Sequence, residues 1–248
     1  MNRFPLLITL LLTICAAHTS AQKKTIKLDD NLSQNSVLWE AKPKGISTVT
    51  KYHFGDYAIV SGKAGWTTTK TNSRLFSFTS ESKSKQKLSF VFVGSKRDSI
   101  MVNASVDVDF QELNFGNYSE LRNSQENFVA FLSPASGDPA WQLVIATLSG
   151  SAVPGNFQFT GMMTDGQKEV EIQPVYEWSD GKTPSFNVIP GYQFVYGGEA
   201  VAAVQGSVNT MHKKLVWLRN DLPPDFKLLL AGAAASIFVM IDGQQSRM

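Results

Sequence analysis

The stretch from Asp98 to Phe110, DSIMVNASVDVDF, places Ile100, Val102, Ala104, Val106, Val108 and Phe110 on every second position, with Ser99, Met101, Asn103, Ser105, Asp107 and Asp109 between them. Side chains of a strand point alternately to opposite faces, so this register makes one face dry and the other wet. On its amino-terminal side, Gly94 to Asp98 forms a turn, and Lys87 to Val93 repeats the pattern with Leu88, Phe90 and Phe92 on one face. Leu75, Phe76 and Phe78 mark a further strand. Ile46 to Phe54 and Tyr57 to Val60 flank a Gly55-Asp56 turn, and Gly62 to Asn72 reads as a glycine- and threonine-rich loop around Trp66.

On its carboxyl-terminal side, Asn117 to Asn127 is polar enough to be a loop or short surface helix, and Phe128 to Leu132 resumes strand character. Ser136 to Pro139 breaks the chain before Trp141 to Leu148. Phe157 to Met163 and Val170 to Tyr176 flank Asp165-Gly166, a dipeptide suited to hairpin turns that need positive φ; Asp180-Gly181 is another. These features predict an all-β protein with little helix, an antiparallel β-sandwich that is either jelly-roll-like or made of two related halves. Glu199 to Gln205 and Leu228 to Ile241 are also assigned to strands. A buried helix after Pro223-Pro224-Asp225 is the alternative for the second.

The preference for strands there comes from an apparent repeat. Tyr52 and Phe54 recur as Tyr192 and Phe194, Arg74-Leu75 as Lys214-Leu215, and Lys87-Leu88 as Lys227-Leu228, each 140 positions later. Ser99-Ile100-Met101-Val102 recurs as Ser236-Ile237-Phe238-Val239. The expected organisation is a signal peptide over 1–21, a flexible lead-in over 22–35, a β-sandwich region over 36–172 with the first copy at about 50–110, and a β region over 173–248 with the second. The second region belongs either to the same domain or to another.

Asn2 and Arg3, the apolar run Leu6 to Ala17 and the small residues Thr19-Ser20-Ala21 compose the signal peptide, with cleavage before Gln22. Cys15 offers a lipoprotein alternative, against which the bulky Ile14 argues. Residues 22–248 hold no cysteine, which suits a bacterial protein exported to the periplasm, the outer surface or the medium and held together by its core. Leu228 to Ile241, at 14 residues, is shorter than the ~20 that span a bilayer, so no transmembrane segment is expected after signal cleavage.

The formal charge of +2 conceals two opposed blocks: residues 42–97 balance at +9 and residues 98–180 at −10. Lys83, Lys85 and Lys87 alternate and, in a strand, share a face, which suits a polyanion; lysines that guard a sheet edge or lie in a solvated turn give the same pattern. They lack interleaved stacking aromatics, so a nucleic-acid partner is not expected. Asp107 with Asp109, and Glu169 with Glu171, are candidates for calcium or for acid–base chemistry only if their strands are neighbours. Otherwise they are ordinary solvated strand faces. His53 and His212 have no second histidine at ligand spacing, and no G-x-S-x-G elbow nominates a nucleophile. No catalytic residue, metal or cofactor is therefore assigned.

Trp66 and Trp178 are candidates for exposed platforms that stack on sugars, although tryptophans also fill β cores. The expected binding residues are Trp66, Lys83, Lys85 and Lys87. The function expected is that of an exported, non-catalytic module binding a carbohydrate or protein partner at the cell envelope. A polysaccharide hydrolase or lyase using strand carboxylates is one alternative, and a structural or assembly subunit that joins opposite charge blocks is another.

Overall fold

A computed structural model describes residues 24–45, 48–73, 79–95, 98–115, 118–150, 157–184, 188–206 and 212–245. The signal-peptide reading and Cys15 lie outside these residues. In chain order the elements are helix α1 (Asp30–Asn35), strands β1 (Ser36–Glu40), β2 (Lys42–Pro43), β3 (Tyr52–Phe54), β4 (Tyr57–Ala64), β5 (Thr68–Ser73), β6 (Thr79–Val93), β7 (Ser99–Phe115), β8 (Tyr118–Pro134), β9 (Trp141–Gly150), β10 (Phe157–Thr164), β11 (Glu169–Val175), β12 (Gly191–Tyr196), β13 (Glu199–Gln205) and β14 (Leu215–Arg219), and helix α2 (Pro224–Gln245).

The strands form one antiparallel sheet in the order β1-β14-β13-β12-β11-β10-β9-β8-β7-β6-β4-β3-β2, with β5 beside β6. The two ends of that order, β1 and β2, are separated in the chain only by Ala41. One pairs with β14 and the other with β3. The segment Ser36–Pro43 thus lies along both ends of the sheet, which is nearly closed into a barrel. The all-β, antiparallel expectation holds; the expected sandwich, jelly-roll-like or of two related halves, is not confirmed by this single sheet.

The reason is α2. Its residues from Leu228 to Met240 are all buried, and they pack against β4, β7, β8, β13 and β14. A helix that is apolar all round must be covered all round, and a sheet curled about it does this. The strand assignment for Leu228 to Ile241 is therefore corrected: Pro224 opens the helix with the φ its first turn requires, Asp225 lies in the favourable acidic first turn, and the alanines extend it. Buried Ser236 is satisfied by donating its hydroxyl to the Gly232 carbonyl at 2.8 Å. By length and composition α2 would suit a bilayer, yet here strands cover it. The repeat fails for the same reason, because Ser236–Val239 and Lys227-Leu228 are helical where Ser99–Val102 and Lys87-Leu88 are strands. Arg74-Leu75 lies outside the described residues.

The dry face of the opening stretch is fully buried from Ile100 to Val106. Val108 and Phe110 are only half-buried, because their partners there are polar: Ser84 and Glu126 flank Val108, and Ser82 and Ser124 flank Phe110. The chain expected to be a loop at Asn117 to Asn127 instead lies largely in β8, paired along β7. One turn needs its glycine. Gly55 has φ +53°, and a Cβ on it would stand 2.6 Å from Trp39 Nε1, so the β3–β4 turn and the Trp39 ring that packs on it exclude any larger residue.

The lead-in expected to be flexible is ordered from residue 24. Asp29 caps α1 by accepting from the Asn31 amide at 2.9 Å, and Leu32 is buried with Ile26, Trp178, Leu215 and Trp217 on the outer side of the barrel wall. Gln205, also fully buried, fixes this segment. Its amide oxygen accepts from the Ile26 amide at 2.8 Å, while its nitrogen donates to the carbonyls of Lys213 and Lys24.

Trp178 is consequently no exposed platform. It is buried, with the His212 ring stacked on it at 4.6 Å and the Lys24 ammonium 5.1 Å from its ring centre. Burial, and secondarily Lys24, hold the His212 imidazolium below its ordinary value of 6.5. The folded state therefore favours neutral His212. The stability this provides is complete above the unfolded value and is lost as pH falls through it to the lowered folded value. Urea unfolding at pH 8 and pH 5 should show a smaller acid loss for His212→Asn than for wild type; equal losses would contradict this assignment.

Candidate functional site

Two regions of the surface bring together candidate binding side chains. The first surrounds Trp66. Ala64 pairs with Leu88 and Thr68 with Lys85, so three residues, Gly65, Trp66 and Thr67, face only Gln86 and Lys87. This is a bulge, which breaks the ladder and redirects a side chain. The Gly65 amide still donates to the Lys87 carbonyl at 2.7 Å, and the Trp66 ring is thrown outward, 96% exposed. Leaving so large an apolar ring in water forgoes about 1.5–3 kcal/mol of burial, so it contributes nothing to the fold.

The register also places the lysines. Lys83 and Lys85 face outward and pair across the sheet with Asp109 and Asp107, each at 3.1 Å. The basic and acidic blocks therefore meet in cross-strand ion pairs, which at this exposure contribute at most about 1 kcal/mol each. Lys87 stands opposite Ser105 on the same face. Lys63, opposite Ser89, and Lys70, opposite Lys83, join that face from β4 and β5. Among the described residues no ion pair engages Lys63, Lys70 or Lys87. Trp66 lies between Lys63 and Lys70 along the chain, and the bulge that carries it faces Lys87, so the exposed ring and these three lysines belong to one stretch of surface. Lys63 and Lys70 escaped the sequence reading because only the bulged pairing of β4 and β5 with β6 sets them beside Lys87.

The carboxylate pairs are not brought together. Asp107 and Asp109 are on β7 and Glu169 and Glu171 on β11, with β8, β9 and β10 between them. At ~4.8 Å per strand they are about 19 Å apart. Among the described residues no group of three or more ligating side chains can hold a metal ion.

The second region is at the opposite end of the barrel, where α2 begins. Short turns after β6, β8, β10 and β14 surround a cleft of about 820 Å³. Its wall contains Trp141 at the start of β9, Tyr196 at the end of β12 and Phe226 in the first turns of α2. The Phe226 ring is 6.1 Å from that of Trp141 and 5.2 Å from that of Tyr196, tilted against both. The turns carry Asp98, Asp138, Asp165 and Asp221. Arg219 donates to Glu199 and, at 2.6 Å, to Asp221, and this bond holds the Asp221 carboxyl below its usual range. Asp165 accepts from the amides of Gln167 and Lys168, with the same effect on its acidity. Sequence reasoning found the Asp165-Gly166 turn but not the cleft, whose residues come from separate parts of the chain.

These features define an all-antiparallel β protein in which one large sheet curls around a central helix, with an exposed tryptophan–lysine face and a separate acidic, aromatic cleft. No protein-family model, curated protein or solved structure matches the chain.

Proposed function

We propose that this protein is an exported, non-catalytic module that binds an anionic glycan at the cell envelope, with Trp66 stacking on sugar rings and Lys63, Lys70 and Lys87 meeting the negative groups. The observation that supports this reading is the 96% exposure of Trp66 at a bulge, beside lysines with no internal ion-pair partner among the described residues. An aromatic face takes the apolar side of a sugar, and ammonium groups on flexible stems adapt to carboxylate or sulfate spacing. Lys83 and Lys85 tune the field rather than bind directly, because Asp109 and Asp107 already occupy them.

On an array of acidic and neutral polysaccharides, wild type should retain acidic ones, and Trp66→Ala should weaken that binding roughly tenfold, equivalent to about 1.4 kcal/mol. The melting temperature should hardly change, since the ring is solvated. Raising the salt from 50 to 500 mM should weaken wild-type binding by screening the lysines. No acidic ligand, or identical profiles for both proteins, would remove the Trp66 site.

A further inference from the structure

The cleft at the α2 end of the barrel has no role in the glycan reading. We propose that it binds an organic cation, an ammonium group carried on an apolar or aromatic body. Barrel mouths are frequent ligand sites, and the volume of about 820 Å³ falls within the ~300–1,000 Å³ usual for small-molecule clefts. The wall selects the body of the ligand: the half-buried Phe226 and the exposed Tyr196, backed by the buried Trp141, give the cleft an aromatic side for an apolar group, and ring faces attract cations.

The rim selects the charge. Five aspartates line the cleft against Lys168 and Arg219, and Arg219 is already engaged by Glu199 and Asp221. With Asp221 paired to Arg219 and Asp225 offset by the amino end of α2, Asp98, Asp138 and Asp165 still outnumber Lys168, so an anion would meet net repulsion there. Asp98, Asp138 and Asp165 stand on different turns and Asp221 and Asp225 at the junction of β14 and α2, and among the described residues they do not assemble a metal-binding group. Dispersed negative charge above an aromatic wall is a poor match for a small, hard ion that must shed its water. It matches a bulky, weakly hydrated ammonium whose charge needs neighbours but no coordination sphere.

Calorimetric titration of the protein with 2-phenylethylammonium at pH 7 and low salt tests this, with 2-phenylethanol as the uncharged counterpart. Saturable one-site binding of the ammonium is expected, with the alcohol at least tenfold weaker. The paired substitution Asp98→Asn and Asp138→Asn, at exposed turn positions, should weaken the ammonium at least fivefold while leaving the melting temperature near that of wild type. Tyr196→Ala should weaken both probes. Trp66→Ala should leave ammonium binding unchanged, so failure of the glycan site and failure of the cleft are distinguishable. Absence of saturable binding at millimolar ammonium, equal binding of the alcohol, or full affinity in the aspartate variant would each overturn the proposal.

Discussion

Phe238→Ala should lower the unfolding free energy by about 3–5 kcal/mol, as large-to-small changes at fully enclosed aromatic positions do. Phe238 has no exposed surface, packs against the Tyr52 ring at 5.3 Å, and lies in the helix around which the sheet is wrapped. The wall comprises many short spans of different strands, so it cannot collapse onto the void as a single flexible loop might. Ala234→Asp should go further, since it would place a carboxylate at a buried position of the apolar core, and cooperative unfolding should disappear. Denaturant titration followed by circular dichroism and tryptophan emission checks both. A Phe238→Ala loss below about 1 kcal/mol would mean that α2 is not the core.

Breaking the Lys214–Asp242 pair should have the next largest effect. Asp242 lies toward the carboxyl end of α2, where the helix dipole disfavours an acid, and the pair compensates for this. The Lys214 ammonium donates to Asp242 and to the Tyr52 hydroxyl oxygen, and the Tyr52 hydroxyl donates to Asp242 at 2.6 Å. Burial, reinforced by Asp242, drives the Tyr52 phenol well above its usual range, so it stays protonated and remains a donor. The side chains of Lys214 and Asp242 are only 11% and 25% exposed, so truncating Lys214 leaves a poorly solvated carboxylate. Lys214→Ala should cost about 2–3 kcal/mol, somewhat less than loss from a fully enclosed pair. In a double-mutant cycle, adding Asp242→Ala should recover at least about 1 kcal/mol of the summed losses. Additive losses would show that the two groups act independently.

The strand content was legible because a two-residue period survives wherever one face is wet, as from Ile100 to Val106. α2 was hidden by its success as a core element. With every side covered it has no polar stripe, so its 3.6-residue period leaves no trace in the pattern of polarity. Pro224 and the uninterrupted length were the surviving signals, and the coincidence of Ser236–Val239 with Ser99–Val102 outweighed them. The amino half of β8 was obscured for a different reason: its polar chain is paired along β7, and pairing leaves no mark on composition. Of the candidate sites, Trp66 was visible as a large ring in a glycine- and threonine-rich stretch. The bulge that exposes it depends on two registers with β6, and the cleft depends on Trp141, Tyr196 and Phe226 meeting across the barrel.

The core helix follows all fourteen described strands in the chain, which sets the order in which the protein can become itself. Any ribosome or pore that delivers the amino end first releases a complete set of wall pieces before anything exists for them to enclose. Until residues 224–245 emerge, the apolar faces of β7 and β8, which pack on α2, have no permanent partner and are open to aggregation. Folding therefore waits for α2 rather than proceeding strand by strand, and a chain stopped just short of Pro224 would be a hollow wall, more dangerous to its neighbours than one stopped far earlier.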